Sequence, residues 1–245
     1  MTNRHPIAPH GEFPSMTRRA LIATAALVAS ASLLTATGCA NSSSNDSARS
    51  QLVSQDAAAQ IAQLQAEDAR RLREALALGE QGDKAFAKER YAEAVQHYSQ
   101  AVSTYDEFFA LWNNLGTALF RLDRYQQAEE AFIRASNINP SDPRPLYNRG
   151  LLYRNRGYPD DAKMYFERAL EQDPRYLDAL WGTIKADITL GTESRQTLER
   201  IRTALFMVTD EQQRRYLELE RERIAGKLGL SEGETRRDTS ENSPE

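Results

Sequence analysis

From Gln51 onward the apolar positions fall at helical intervals. Leu52, Ile61, Leu64, Leu72 and Leu76 share one face, with Ala, Gln, Glu and Arg filling the places between them. No glycine or proline intervenes before Gly79, so the pattern predicts one long helix. Past that point it changes to shorter amphipathic stretches arranged in pairs, and the pairs repeat. Gly82, Gly116 and Gly150 stand 34 residues apart, as do Ala94, Ala128 and Ala162. Tyr98, Phe132 and Phe166 keep the same step, as do Ala101, Ala135 and Ala169, and the series Leu78, Trp112, Leu146 and Leu180. Asn139-Pro140 and Asp173-Pro174 end two of the units, since proline cannot continue a helix interior. Small residues belong where paired helices approach most closely. In the middle unit Trp112, Leu115, Leu119, Tyr125 and Phe132 fill the space beside them.

A helical repeat of 34 residues with these columns resembles the tetratricopeptide family. The resemblance implies an all-α fold, an α-solenoid of antiparallel helix pairs with capping helices. It organises the chain as an N-terminal helical extension at 51–74, three repeat units at 75–176 and a degenerate fourth unit at 177–209. A capping helix at 210–229 and a polar, disordered tail at 230–245 follow. The third unit has Pro159 where Tyr91 and Tyr125 open the second helix of the first two. In the fourth, Leu180 keeps register and Gly191 falls at the turn, while Ile184, Gln196 and Thr203 occupy the three small-residue columns. Leu198, Ile201, Leu205 and Val208 still give that unit an amphipathic second helix, and Asp210 reads as the N-cap of a charged closing helix over Gln212 to Leu228.

The start of the chain has a different pattern. Arg18 and Arg19 precede an apolar, uncharged run from Ala20 to Thr37, which ends at Gly38-Cys39-Ala40. That is the layout of a secretory leader. Ala36-Thr37-Gly38-Cys39 resembles the lipobox of bacterial lipoproteins, with Ala36 where leucine is usual. The resemblance implies that 1–38 is a cleaved signal peptide and that Cys39, the one cysteine of the chain, is acylated and palmitate-bearing. Residues 39–50 would then be the lipidated cysteine and a flexible polar spacer. An uncleaved membrane-spanning anchor, an ordinary cleavage site and an accidental apolar run are the competing readings. Both Met1 and Met16 are candidate starts, and Thr17 to Leu21 is compatible with Sec or twin-arginine export. Several acyl chains hold a protein stably on a bilayer. Ala40 after the cysteine resembles the outer-membrane sorting class, which implies lipid anchoring in the cell envelope, on the periplasmic face of the outer membrane.

Composition narrows the partners. With 31 basic and 35 acidic residues and a formal net charge of -4, the chain lacks the basic excess of a nucleic-acid binder. The chain after Cys39 holds a single histidine, His97, and no further cysteine, so neither metal ligation nor nucleophilic catalysis has a candidate set. Glu129-Glu130 and Asp160-Asp161 read as solvated charge near helix starts. No cofactor and no enzymatic activity are predicted.

In the tetratricopeptide family the first helix of each unit lines the ligand groove. By register this chain would present Asn113, Asn114, Thr117 and Arg121 from the second unit, and Arg144, Tyr147, Asn148 and Arg154 from the third. Trp181 follows from the fourth, with Asp178 and Lys185 beside it. Paired asparagines can bond the backbone of an extended peptide, and arginine can fork onto a carboxylate. Asn114 and Asn148 also match a residue common in the family, where helix packing or solvation alone is the competing role. Asn114 and Arg144 match two positions of the carboxylate clamp of some members, while Gly79, Asp83 and Asn148 depart from it. The expected function is that of an adaptor or assembly scaffold binding a peptide or helix of another envelope protein. The alternative is a structural lipoprotein that homo-oligomerises without a peptide ligand.

Overall fold

The computed structural model describes residues 43–230, with side chains from 58 onward. The leader, Cys39 and the tail at 231–245 lie outside the described residues. Within them every element is an α-helix: α1 Ser43–Ala87, α2 Tyr91–Thr104, α3 Phe109–Arg121, α4 Tyr125–Ile138 and α5 Arg144–Asn155. Then come α6 Pro159–Gln172, α7 Leu177–Leu190, α8 Arg195–Met207 and α9 Glu211–Lys227. The chain divides into two compact units between Glu74 and Ala75, inside α1. In the first, Ile61 and Leu64 are 55% and 68% exposed. The stretch read as a flexible spacer is corrected in part, because α1 already includes Ser43 to Ser50. No glycine or proline occurs from Ala40 to Leu78, and each residue added to a nucleated helix gains a hydrogen bond.

From Ala75 onward helices pair in sequence order, and the first helices of successive units also touch, α3 with α5 and α5 with α7. Each of the three regular units closes on a ring set against a glycine. Tyr98, Phe132 and Phe166 are fully or almost fully buried, facing Gly82, Gly116 and Gly150. A Cβ on Gly116 would stand 2.6 Å from Phe132 Cε1 and 3.1 Å from the Ala128 carbonyl oxygen. Only a hydrogen fits there, which explains the two most regular columns of the sequence as one contact. The turns also repeat: Glu89, Asp123, Gly157 and Gly191 all have positive φ, at 58°, 59°, 82° and 67°, in the left-handed region that reverses the chain at a helix end. Pro159 occupies the first turn of α6, where no intrahelical donor is lost.

The fourth pair departs from this plan. Three residues separate the helices in each regular unit, at 88–90, 122–124 and 156–158, whereas four, 191–194, separate α7 from α8. The extra residue moves every inward position of α8 one place along. Thr197, Ile201 and Ala204 are the buried residues, so the assignment of Gln196 and Thr203 to the small-residue columns is corrected. The ring is replaced by Ile201, which leaves room for Ile184 where the other units need glycine; both are fully buried. A polar cluster stands here as well. Asp187, 1% exposed, is bound by Lys163 Nζ at 2.6 Å and Arg200 Nη1 at 3.1 Å and accepts from Thr197 Oγ1 at 2.8 Å. It ties α6, α7 and α8 together.

Helix α9 covers the end of this core. Leu217 and Ile224 are buried beside Leu180, Ile184 and Ile201, and Asp210 accepts from the Gln213 backbone N–H at 2.8 Å as the N-cap. Glu193, in the α7–α8 turn, holds Lys227 at 2.6 Å and Arg223 at 3.0 Å. The Lys227 bond is the main reason its carboxyl is held at about 2, below the usual carboxylate range.

Candidate functional site

The nine residues read as groove-lining from the sequence do not form one surface. Asn113, Thr117 and Asn148 are buried; the two asparagines join α3 to α5, and the threonine bonds within α3. Asn148 Nδ2 donates to Asn113 Oδ1 at 2.9 Å, while Thr117 Oγ1 bonds back to the Asn113 carbonyl at 2.9 Å. Asn114 Nδ2 donates to Asp83 Oδ1 at 3.3 Å, linking the first two units. Arg121 leans over the rings of Phe86 and Tyr91. Arg144 forks onto Asp142, at 2.8 and 2.9 Å, and lies over Phe109. These six residues therefore have partners inside the protein.

The other three meet in one place. Tyr147, Arg154 and Trp181 line an open cavity of about 630 Å³ between α5, α7 and α9, together with Asp178, Gly182 and Lys185. At the α3–α5 join, Asn148 fills the interhelical position with an amide; one 34-residue step later the position is Gly182, which has no side chain to fill it. Phe166 packs directly on Gly182 instead, 2.8 Å from where its Cβ would be. Trp181 stacks on Tyr216 of α9, with ring centroids 5.6 Å apart and planes inclined by 26°. Lys185, one helical turn after Trp181, lies over the same indole at 5.2 Å.

The outer wall comes from the closing helix, through Asp210, Gln212, Gln213 and Tyr216. Sequence reasoning assigned this helix only a capping role. Its buried residues, Leu217 and Ile224, carry the periodic signal. The cavity side is written in polar residues and one tyrosine, which a solvated face would show equally.

Two charges of the cavity, Asp178 and Lys185, are partly withdrawn from water. Burial raises the Asp178 carboxyl above its ordinary range and lowers the Lys185 ammonium, which the nearby Arg154 charge lowers further. Arg154 stays open to water at the mouth, yet the walls around its guanidinium hold it below its usual value. Burial, then the Asp178 charge, also raises the Tyr147 phenol. A cleft with an aromatic platform and incompletely hydrated charges of both signs is suited to binding a polar chain with an apolar anchor. His97, the lone histidine of the described residues, lies on α2, 3.8 Å from Glu93 and away from this cavity. No group of three His, Cys, Asp or Glu among the described residues could hold a metal ion. No described helix is long and apolar enough to cross a membrane.

Comparison with known proteins agrees with the helix pairing. A model of the tetratricopeptide repeat family matches residues 107–175, from the end of the first unit through the third. Tetratricopeptide repeat protein 28 of Mus musculus is 28% identical over 106 residues, 43% of this chain and 4% of that protein. A tetratricopeptide repeat-containing protein of Methanocaldococcus jannaschii is 34% identical over 82 residues, 34% of this chain and 14% of that protein. The chain thus spans a small fraction of the curated relatives it matches. Among solved structures, the first tetratricopeptide domain of Spaghetti (RPAP3), bound to an HSP90 peptide, is 28% identical with a TM-score of 0.46, covering 49% of this chain and 94% of that one.

Proposed function

We propose that this protein is a non-enzymatic adaptor of the bacterial cell envelope. It is tethered by acylated Cys39 and binds a segment of another protein in the α5–α7–α9 cavity. The observation that carries the reading is that cavity: a half-buried Trp181 stacked on Tyr216, beside Asp178 and Lys185, whose charges burial disfavours, with Arg154 exposed at the mouth. A partner segment can rest an apolar side chain on the stacked rings and meet the polar groups of the walls with its own. The repeats on either side supply rigid helices on which the side chains are already positioned. The tether rests on the sequence alone, on the apolar run from Ala20 to Thr37 and the cysteine that follows it.

Two experiments test the two halves separately. A photocrosslinking residue in place of Gln212, at the cavity wall, should capture a discrete envelope protein in living cells, and the same residue at the partly exposed Arg202, away from the cavity, should not. Equal capture at both positions would remove the cavity from the proposal. Palmitate labelling should depend on Cys39, and Cys39→Ser should release the protein from the membrane fraction.

A second reading, self-association, has its own support. Phe206 and Leu219 are 86% and 61% exposed near the C-terminal end of the repeats, and apolar groups so placed favour contact with another copy. A strict monomer by light scattering at high concentration would eliminate it.

A further inference from the structure

The exposed face of α8 carries its charges in an order that complements itself, and we infer that a second copy of this chain docks there, α8 against α8 and antiparallel. The inference rests on the self-association reading and gives it an interface.

Arg195, Glu199, Arg202 and Phe206 follow one another at steps of four, three and four residues, the spacing of a seam between helices. They stand on the side of α8 opposite its buried residues Thr197, Ile201 and Ala204. Phe206 is 86% exposed. The side chains of Glu199 and Arg202 are 58% and 40% exposed, and a contact of 3.6 Å along the helix is their only ion pair. Arg195 is exposed and makes no ion pair among the described residues. A two-fold axis passing between Arg200 and Ile201 sets Glu199 of each copy against Arg202 of the other, and Phe206 against Arg195. Symmetry makes each of these contacts twice. The protein already lays arginine on phenylalanine within itself, with Arg144 over Phe109 at 5.3 Å and Arg121 over Phe86 at 5.8 Å. A parallel arrangement would place each charge against its like and is disfavoured. Leu198 and Leu205, half-buried along one margin of the stripe, add apolar surface to it.

Neither α4 nor α6 could pair in this way. In the corresponding places α6 has Asp160, Met164, Glu167 and Glu171, and α4 has Gln126, Glu130, Ile133 and Asn137. Acids stand there with no base on the stripe to meet them. The alternation of sign belongs to α8, the helix displaced by the extra residue of its turn. A seam of one 13-residue helix is smaller than a standard interface, so dissociation in the micromolar range is expected. None of the four residues lines the α5–α7–α9 cavity. The dimer would therefore offer two cavities at once, and a partner with two binding segments would be held more tightly than by either alone.

The test uses the full chain with Cys39→Ser, which has no other cysteine. Sedimentation should show reversible dimers. Glu199→Arg and Arg202→Glu should each weaken dimerisation about tenfold, and the chain with both changes should regain it, because the exchanged charges face one another again. Phe206→Ser should weaken it without restoring partner. All these variants should keep the parent melting temperature, since the positions face solvent. A chain with Arg195→Cys mixed with one carrying Phe206→Cys should give a disulfide-linked pair on mild oxidation, and neither should link to itself. From Arg202 the crosslinking residue should take only a second copy of this chain, distinct in mass from the partner taken from Gln212. Self-linked Arg195→Cys chains would overturn the antiparallel arrangement. Dimers indifferent to the charge exchange and to Phe206→Ser would overturn the α8 seam and leave self-association standing on another face. A strict monomer at high concentration would defeat both.

Discussion

The three regular units and the fourth helix pair solve the same packing problem with opposite distributions of volume. In the regular units one helix gives up its side chain at Gly82, Gly116 or Gly150, and the other fills the gap with a ring. In the fourth pair the volume is shared between Ile184 and Ile201, and a buried acid with two cations holds the neighbours in place. The first solution leaves a strict sequence signature, because only glycine clears the ring. The second leaves almost none, because many apolar pairs of similar total volume would serve.

That contrast is testable. Asp187→Ala should have the largest effect, about 3–5 kcal/mol, since Lys163 and Arg200 would lose a fully buried counter-charge. Chemical denaturation should show the loss, and hydrogen exchange should place it in α7 and α8 before α3 and α4. Gly116→Ala comes next, at about 1–3 kcal/mol for overpacking against Phe132. Pairing Gly116→Ile with Phe132→Ile, which copies the fourth pair, should cost clearly less than the sum of the two single changes. Strict additivity would show that the two packing solutions are not equivalent.

Acid should act selectively on the C-terminal end. Glu193 is held at about 2 in the folded protein, against an ordinary value of 4.5, so its pairing with Lys227 and Arg223 stabilises the fold fully above about pH 4.5. That contribution fades as pH falls from there towards 2. Glu193→Gln should flatten the pH dependence of melting in this window and leave the regular units unaffected. The smallest effect belongs to the turns. Glu89→Gly and Asp123→Gly should each stabilise by about 0.5–1 kcal/mol, because these residues hold positive φ at a cost that exceeds the entropy of a glycine. Thermal melts of the two variants would show it.

The sequence made the regular units legible because steric exclusion repeats: the same glycine, the same ring and the same turn return at one spacing. It failed where geometry is carried by length or by distant partners. One extra residue in the 191–194 turn moved the inward face of α8 from Gln196 and Thr203 to Thr197 and Ala204. Asp187 reads as an ordinary polar position, because its cations come from α6 and α8. The residues read as groove-lining divide by surroundings: Tyr147, Arg154 and Trp181 border the cavity, whereas Asn113 and Asn148 meet between helices and Thr117 bonds within α3. Register says which face a residue takes, not whether that face is already occupied.

The ring-on-glycine contact closes inside each regular unit, Gly116 with Phe132 and Gly150 with Phe166, and Phe166 also meets Gly182, one period after Asn148. Excising one full period from the middle of the chain, or duplicating it, would therefore break no such lock, while a cut of any other length would strand a ring without its recess. Lineages built on this plan are free to change in whole modules and are held against change in fractions. The irregular C-terminal pair, with the third unit whose Tyr147 and Arg154 complete its cavity, can then be carried unaltered at the end of a longer or shorter array.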